Sequence, residues 1–356
     1  MVRPPLLEST SKAVAVDGKI YAMGTITQEY NPDTLTWTKK NSMPHQVNGG
    51  IAVYQNKIYV IGENYNQVYD VRSDTWAIKT AMPTWRTGLQ ANVVGDKIYL
   101  MGGLSNAESG TLTGVNEVYD PTTDTWMTKA PIPTPVYLYS SAVMDNKIYV
   151  IGGSAEPPNI VLDLVQIYDP QKDIWTNGTA MPKAVRYASA IATTGLFAPK
   201  QIYVIGGLKS GNGLDLNQIY NPQTDSWTTG TPMPTARYNL GLAVINDTVY
   251  AMGGVLLPPY AFPQEPLTTN EIYLPLNYDG PTPPCWQPQP SPTPSISSSP
   301  TLNSTPSTTI SHTLSQSPST SPESELPFNS ILVIITVALA VFGLVAILLA
   351  VIKRRK

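Results

Sequence analysis

One phrase recurs along this chain roughly every fifty residues, and that recurrence limits the possible folds more than any other property. Its clearest copy runs from Asn146 to Pro182: NKIYVIGGSAEPPNIVLDLVQIYDPQKDIWTNGTAMP. The phrase is a short apolar segment ending in two glycines, a variable loop, a second apolar segment ending in Tyr-Asp-Pro, then a Trp and a closing Met-Pro. Its first tyrosine falls at Tyr21, Tyr59, Tyr99, Tyr149, Tyr203 and Tyr250, its second at Tyr30, Tyr69, Tyr119, Tyr168, Tyr220 and Tyr273. Trp37, Trp76, Trp126, Trp175 and Trp227 follow the first five, spaced 39, 50, 49 and 52 residues apart. The loops vary while the landmarks hold. A period of this length belongs to units that bury their apolar faces only against their neighbours.

Within the fourth copy, strands are predicted at Ser140–Asp145, Lys147–Gly153, Leu164–Asp169 and Ile174–Met181. Each is short, rich in β-branched and aromatic residues, and bounded by Gly, Pro, Asn or Asp. No helical period stands out before residue 330. The chain therefore reads as all-β. Gly pairs such as Gly102-Gly103 suit unusual dihedrals and close backbone approach; copies one and two break the pair, as Gly24-Thr25 and Gly62-Glu63. Asp74, Asp124, Asp173 and Asp225, each two residues before a Trp, suit a tight turn. The Tyr and Trp landmarks are large enough to fill the wedge between units.

In order and period these landmarks resemble the kelch repeat over residues 11–279. The resemblance implies a β-propeller of about six four-stranded blades, with the propeller occupying residues 1–279. The sixth copy has no Trp seven residues after Tyr273; position 280 is Gly. Trp286, the N-terminal segment or a strand upstream of Met1 would complete that blade, and an upstream strand would bring the count to seven. A propeller with a bare last edge would be open to association.

Beyond the repeats the composition changes. Residues 280–330 are dominated by Pro, Ser and Thr, which cannot bury enough apolar surface to offset their conformational entropy. They read as a disordered stalk, reaching on the order of 150 Å if extended like polyproline. Ile331 to Ile352 are 22 uncharged, almost wholly apolar residues, enough at 1.5 Å each for a bilayer core. Lys353-Arg-Arg-Lys follows, so residues 353–356 form a basic tail that the positive-inside rule places in the cytoplasm. The expectation is a single-pass protein of the cell membrane with its propeller outside. Met1–Thr10 hold no apolar run long enough for an export signal, so this topology carries the further expectation that the sequence begins inside or just after a repeat. A tail-anchored protein with a cytoplasmic propeller is the alternative. Asn177, Asn246 and Asn303 each open an Asn-X-Thr triplet suited to glycosylation.

The inventory of reactive side chains is thin. His45 and His312 are the only histidines, and Cys285, outside the repeats, is the only cysteine. No metal site, no cofactor and no catalytic residue is expected, and the copper ligands of kelch-like oxidases are absent. Net charge is −3, and without the four terminal basic residues it is 18 Lys and Arg against 25 Asp and Glu, or −7. No basic stripe invites nucleic acid. A binding constellation stands out instead. Trp85, Arg86, Tyr137, Arg186, Tyr187, Arg237 and Tyr238 lie in the loops entering successive innermost strands, with Tyr139 beside them. Arginine beside aromatic rings suits a peptide, carboxylate or sugar, and in kelch proteins that bind peptides this is the face used. The same arginines could instead bond blade backbone. The function expected is cell-surface recognition or adhesion through a protein or glycan ligand; a carbohydrate-active surface enzyme and a structural envelope component are the rivals.

Overall fold

The computed structural model of the chain describes residue 6 and residues 11–105, 110–155, 160–209, 211–256, 266–281 and 283. The described residues contain strands and turns, and among them no helix is long and apolar enough to cross a membrane. Most of the Pro/Ser/Thr stretch, the apolar segment Ile331 to Ile352, the basic tail and Asn303 lie outside the described residues.

Six antiparallel sheets follow one another, each a meander in which neighbours in sequence are neighbours in space. Sheet 1 is Lys12–Val16, Lys19–Met23, Thr27–Asn31 and Thr36–Lys40. Sheet 2 is Gly50–Tyr54, Lys57–Gly62, Tyr65–Asp70 and Thr75–Ile78. Sheet 3 is Ala91–Val94, Lys97–Met101, Asn116–Asp120 and Thr125–Lys129. Sheet 4, built from the fourth copy of the repeat, is Ser140–Met144, Lys147–Ile151, Val165–Asp169 and Ile174–Gly178. The four strands stand where the repeat phrase predicts them, trimmed by one to three residues. Sheet 5 is Ser189–Ala192, Ile202–Ile205, Asn217–Asn221 and Ser226–Thr229. Sheet 6 has three strands among the described residues: Gly241–Ile245, Thr248–Met252 and Asn270–Tyr273.

The first two strands of a sheet are joined by tight turns such as Asp17-Gly18, Gln55-Asn56, Asp145-Asn146 and Asn246-Asp247, with both residues at positive φ. That is the two-residue hairpin geometry that matches strand twist. Sheet 5 departs from it with an insertion, Thr193 to Gln201. Asp247 of sheet 6 holds this loop, its carboxylate accepting from the backbone N–H of Thr194, Leu196, Phe197 and Ala198. The loop in turn accepts the Asp279 N–H at Phe197 O, 2.8 Å.

Successive sheets pack through the repeated aromatics. Inside a sheet the second tyrosine meets the tryptophan, as Tyr168 meets Trp175 with centroids 4.9 Å apart. Between sheets the first tyrosine of one meets the second of the next: Tyr21 with Tyr69, Tyr59 with Tyr119, Tyr99 with Tyr168, Tyr149 with Tyr220, Tyr203 with Tyr273, at 5.7–6.0 Å. The series then returns to its start, because Tyr250 of sheet 6 meets Tyr30 of sheet 1 at 6.4 Å. Tilted pairs at such separations add roughly 0.5–1.5 kcal/mol each beyond the area they bury.

The four aspartates do more than turn the chain. Asp173 sits at φ 55° and takes hydrogen bonds from Tyr168 Oη (2.5 Å) and from Ala130 N (2.9 Å) at the end of sheet 3. Trp175 Nε1 donates to the carbonyl of the same Ala130, at 3.0 Å. Asp74 with Trp76 grips Asn41, Asp124 with Trp126 grips Thr80, and Asp225 with Trp227 grips Thr179 in the same way. Sheets 2 to 5 are thus each stapled to their predecessor by one carboxylate and one indole.

Candidate functional site

Two sets of loops share one edge of the ring of sheets, and backbone hydrogen bonds join them. The loop entering sheet 3 pairs Arg86–Thr87 with Leu104–Ser105, beyond the glycine pair. Tyr137 pairs likewise with Ser154, Arg186 with Leu208, and Tyr238 with Val255. The glycines make this possible. Gly102 and Gly103 have φ of 59° and 91°, and a Cβ on either would lie 2.6 Å from Val136 O or 2.7 Å from Thr87 O. Only a residue without a Cβ fits so close to the neighbouring backbone.

A belt of main-chain bonds runs around the inner rim of this face. Leu138 N donates to Gly88 O, Tyr187 N to Leu138 O, and Asn239 N to Tyr187 O, at 2.8–2.9 Å. Gly88, Leu138, Tyr187 and Asn239 occupy equivalent positions and all have φ between 54° and 67°. A tyrosine and a leucine in this region are uncommon, since their Cβ crowds the backbone.

The seven residues singled out from sequence divide into two environments. Arg86 is fully buried: its Nη1 donates to Gly102 O (2.8 Å) and Val115 O (3.1 Å), and its Nη2 to Glu117 Oε2 (2.7 Å). Arg237 is also fully buried, with Nη2 on Ala251 O at 3.1 Å and 3.0 Å from Glu271 Oε2. Burial lowers the pKa of its guanidinium, and Glu271 opposes the shift. Both guanidiniums sit in the blade interior and neither faces a ligand from outside. Tyr238 is buried too, and burial together with the neighbouring Tyr187 raises its phenol pKa.

Arg186, Tyr187, Tyr137 and Trp85 are half-buried and reach the surface. Three residues come together: the Arg186 guanidinium carbon lies 6.0 Å from the centre of the Tyr187 ring, and that ring lies 5.5 Å from the ring of Tyr238. At sheet 2 the exposed His45 stacks on Tyr65, centroids 4.3 Å apart and planes within 18°, a pair that sequence reasoning missed. The two residues are twenty apart, and the side chain of Gln67, two residues after Tyr65, holds the His45 backbone beside it. Asn177 and Asn246 are exposed, the first on an outermost strand and the second in a hairpin turn. Among the described residues no three His, Cys, Asp or Glu side chains cluster to hold a metal ion.

The chain is similar to known propellers in sequence and in shape. It is 28% identical over 261 residues to Kelch-like protein terF of Aspergillus terreus, covering 67% of this chain and 45% of that one. It is 36% identical over 232 residues to Kelch-like protein 7 of Rattus norvegicus, covering 63% and 39%. The chain thus spans less than half the length of these curated relatives. The solved structure of YjhT superposes with a TM-score of 0.65 at 14% identity, covering 77% of this chain and 97% of that one, which shows the shared fold. The fold is a kelch-like β-propeller, and residues 49–258 match the family description of the Attractin/LZTR1 β-propeller. The chain belongs to the Attractin/LZTR1 β-propeller family.

Proposed function

We propose that this chain is a six-bladed recognition propeller displayed at the cell surface, binding a protein or glycan through its paired-loop face. The observation that carries the binding reading is the cluster of Arg186, Tyr187 and Tyr238, where a half-exposed guanidinium lies beside two rings tilted against each other. A cation over an aromatic face with a second ring behind it offers charge, hydrogen-bond donors and flat apolar area in one place. The kelch-like relatives share this scaffold; the ligand is argued from the residues of this chain alone.

Six blades closing on themselves is supported by the tyrosine series that returns from Tyr250 to Tyr30, and by one further bond. Leu6 N donates to Thr268 O at 2.9 Å, as Ile132 N does to Gly114 O, Met181 N to Asp163 O and Met233 N to Asp215 O. Leu6 therefore holds, for sheet 6, the place that the Met of Met-Pro holds elsewhere, and it is buried against Tyr30 and Tyr250. The N-terminal segment is thereby favoured over Trp286 or a strand upstream of Met1 as the element that completes sheet 6.

Surface display rests on sequence: residues 1–279 as propeller, 280–330 as stalk, Ile331 to Ile352 as membrane span and 353–356 as cytoplasmic tail, with Asn177, Asn246 and Asn303 as glycosylation acceptors. Protease added to intact cells tests it: cleavage of the stalk from outside is expected, and cleavage only after lysis would place the propeller in the cytoplasm. For binding, cells displaying the full chain should adhere to a protein- or glycan-coated surface. Arg186→Ala should abolish that adhesion at unchanged display, and undiminished adhesion would remove the cluster from the site.

A further inference from the structure

Sheet 5 departs from the two-residue hairpin that joins the first two strands of the other sheets. Ala192 pairs with Ile202, which leaves Thr193 to Gln201 between them. Strand direction places this insertion. First strands run from the paired loops to the hairpin turns, second strands return to the glycine pairs, and third strands run back again. In sheet 6, therefore, Asn270 stands opposite Met252 near the glycine pair, and Tyr273 stands opposite Val249 near the Asn246-Asp247 turn. The chain leaves sheet 6 on the side away from the paired-loop face, next to the insertion.

Several contacts fasten the departing segment there. Tyr278 N donates to Pro275 O at 3.2 Å, and Asp279 N donates to Phe197 O at 2.8 Å. The Tyr278 ring lies 6.4 Å from that of Phe197. Its Oη accepts from Thr248 Oγ1 at 3.3 Å and donates to Pro281 O at 3.0 Å. Pro275 and Pro283 are buried. Gly280 fits because it is small: a Cβ there would lie 2.6 Å from Tyr278 Oη and 2.7 Å from Phe197 Cβ. The indole that stands seven residues after the second tyrosine in the earlier copies has no room at this place.

Phe197 is itself held by Asp247, which is 1% exposed. Asp247 Oδ1 accepts from Thr194 N and Thr194 Oγ1, and its Oδ2 from the backbone N–H of Leu196, Phe197 and Ala198, at 2.5–3.2 Å. Burial pushes the Asp247 pKa up, but these donors outweigh it and hold the carboxyl below its ordinary range. Bonds from N–H groups to a carboxylate are about twice as strong as neutral ones. Thr193 Oγ1 closes the base of the loop on Pro199 O at 2.7 Å, and Lys200 pairs with Asp145 in the hairpin turn of sheet 4.

We propose that the sheet 5 insertion is a clasp for the C-terminal segment, mooring residues 275–281 to the hairpin-turn side so that the chain continues from the side opposite the ligand cluster. None of the clasp residues belongs to the paired loops, so the clasp stands whether or not the Arg186 cluster binds a ligand.

Hydrogen–deuterium exchange of the full chain, read peptide by peptide, tests this. Protection is expected at 276–281 in the unaltered protein. Asp247→Asn turns an amide donor onto the N–H groups of the loop. It should speed exchange at 194–198 and at 276–281 by at least about tenfold, while sheets 2 and 3 exchange as before. Gly280→Val should release 276–281 and leave 194–198 protected, and it supplies the readout should the Asn variant fail to fold. Exchange at unprotected rates at 276–281 in the unaltered protein would overturn the proposal. So would unchanged exchange there in the folded variants, or equal acceleration in every sheet, which would make Asp247 a brace of the whole ring.

Discussion

Sheets 3 and 6 carry the same buried ion pair in different surroundings. In sheet 3, Arg86 reaches Glu117 and three backbone carbonyls, Thr84 Oγ1 donates to the other carboxylate oxygen at 2.6 Å, and Asn116 Nδ2 donates to Ala130 O beyond the fourth strand. In sheet 6, Thr235 Oγ1 holds Glu271 just as closely, at 2.7 Å. The Arg237 Nη2 stands near Glu271 Oε2 without hydrogen-bond geometry, and among the described residues Arg237 Nε and Nη1 and both amide atoms of Asn270 have no partner, where the equivalent Arg86 and Asn116 of sheet 3 leave only Nε and Oδ1 so. The described part of sheet 6 has no fourth strand. One charge pair is embedded in a four-stranded sheet and the other in a sheet with three strands among the described residues. Since a buried pair offsets its desolvation only when its remaining hydrogen bonds are made, the two should differ in what they contribute.

The other loops solve the problem without charge. Where the loop position of Arg86 and Arg237 is Val47, Val136 or Val185, the strand position of Glu117 and Glu271 is Gln67, Gln166 or Gln218. Each glutamine clamps loop backbone with both ends of its amide: Gln67 on His45, Gln166 on Thr134, Gln218 on Lys183. Arginine goes with glutamate, and valine with glutamine. The largest effect expected follows from this. Arg86→Ala strands Glu117 in the interior and should cost about 3–5 kcal/mol in urea unfolding, whereas Arg237→Ala should cost about 1–3 kcal/mol. Equal losses would mean that sheet 6 is as complete as sheet 3. The double change Arg86→Val with Glu117→Gln copies sheet 4 and should return to within about 1 kcal/mol of the natural protein.

Closure of sheet 6 gives the next effect. Leu6 is 3% exposed among Tyr30, Tyr250 and Met252. Leu6→Ala should cost about 2–5 kcal/mol, the usual range for a buried leucine. A loss near zero would show that the ring is stable without its N-terminal residue and that sheet 6 is finished by something else.

The aspartate staples of sheets 2 to 5 set a pH dependence that sheet 6 does not share, since Gly280 stands seven residues after Tyr273 where those sheets have a Trp. The Tyr168 hydroxyl, with the Ala130 N–H and Lys129, holds Asp173 below the usual carboxylate range although burial pushes the other way. Tyr220 does the same for Asp225. A folded pKa below the unfolded one stabilises above the unfolded value, near pH 4, and that contribution is lost as pH falls through the folded value. The urea midpoint should therefore drop between about pH 5 and about pH 2. In Asp173→Asn the drop should be smaller, and an unchanged slope would mean the staples carry no linkage.

These comparisons explain what sequence could and could not disclose. The tyrosines, tryptophans and glycine pairs were legible because each acts at a fixed place in a local hairpin, and the hairpin recurs. The partners of Arg86 and Arg237 were not, because Glu117 lies 31 residues on and Glu271 lies 34 residues on, across variable loops. One signal was present: Arg86 and Arg237 fall four residues after the Met of Met-Pro, Arg186 five. On a loop that alternates its faces, one residue separates a buried guanidinium from a half-exposed one. The aspartates were read as turn formers and are that, but their grip on the preceding sheet needs the ring and is invisible in a single repeat.

That offset of one residue yields the smallest effect on stability and the sharpest contrast. Arg186 pairs its backbone with Leu208 and lays its guanidinium beside Tyr187, so its side chain holds no carboxylate in the interior. Arg186→Ala should move the unfolding free energy by no more than about 0.5 kcal/mol, as for an ordinary surface change. Urea unfolding of Arg86→Ala, Arg237→Ala and Arg186→Ala side by side checks this. A loss at Arg186 as large as that at Arg237 would make all three arginines internal braces and leave the loop face without its cation. A silent Arg186 would leave one guanidinium held beside two aromatic rings with no structural duty, and recognition of a ligand is what such a group can do.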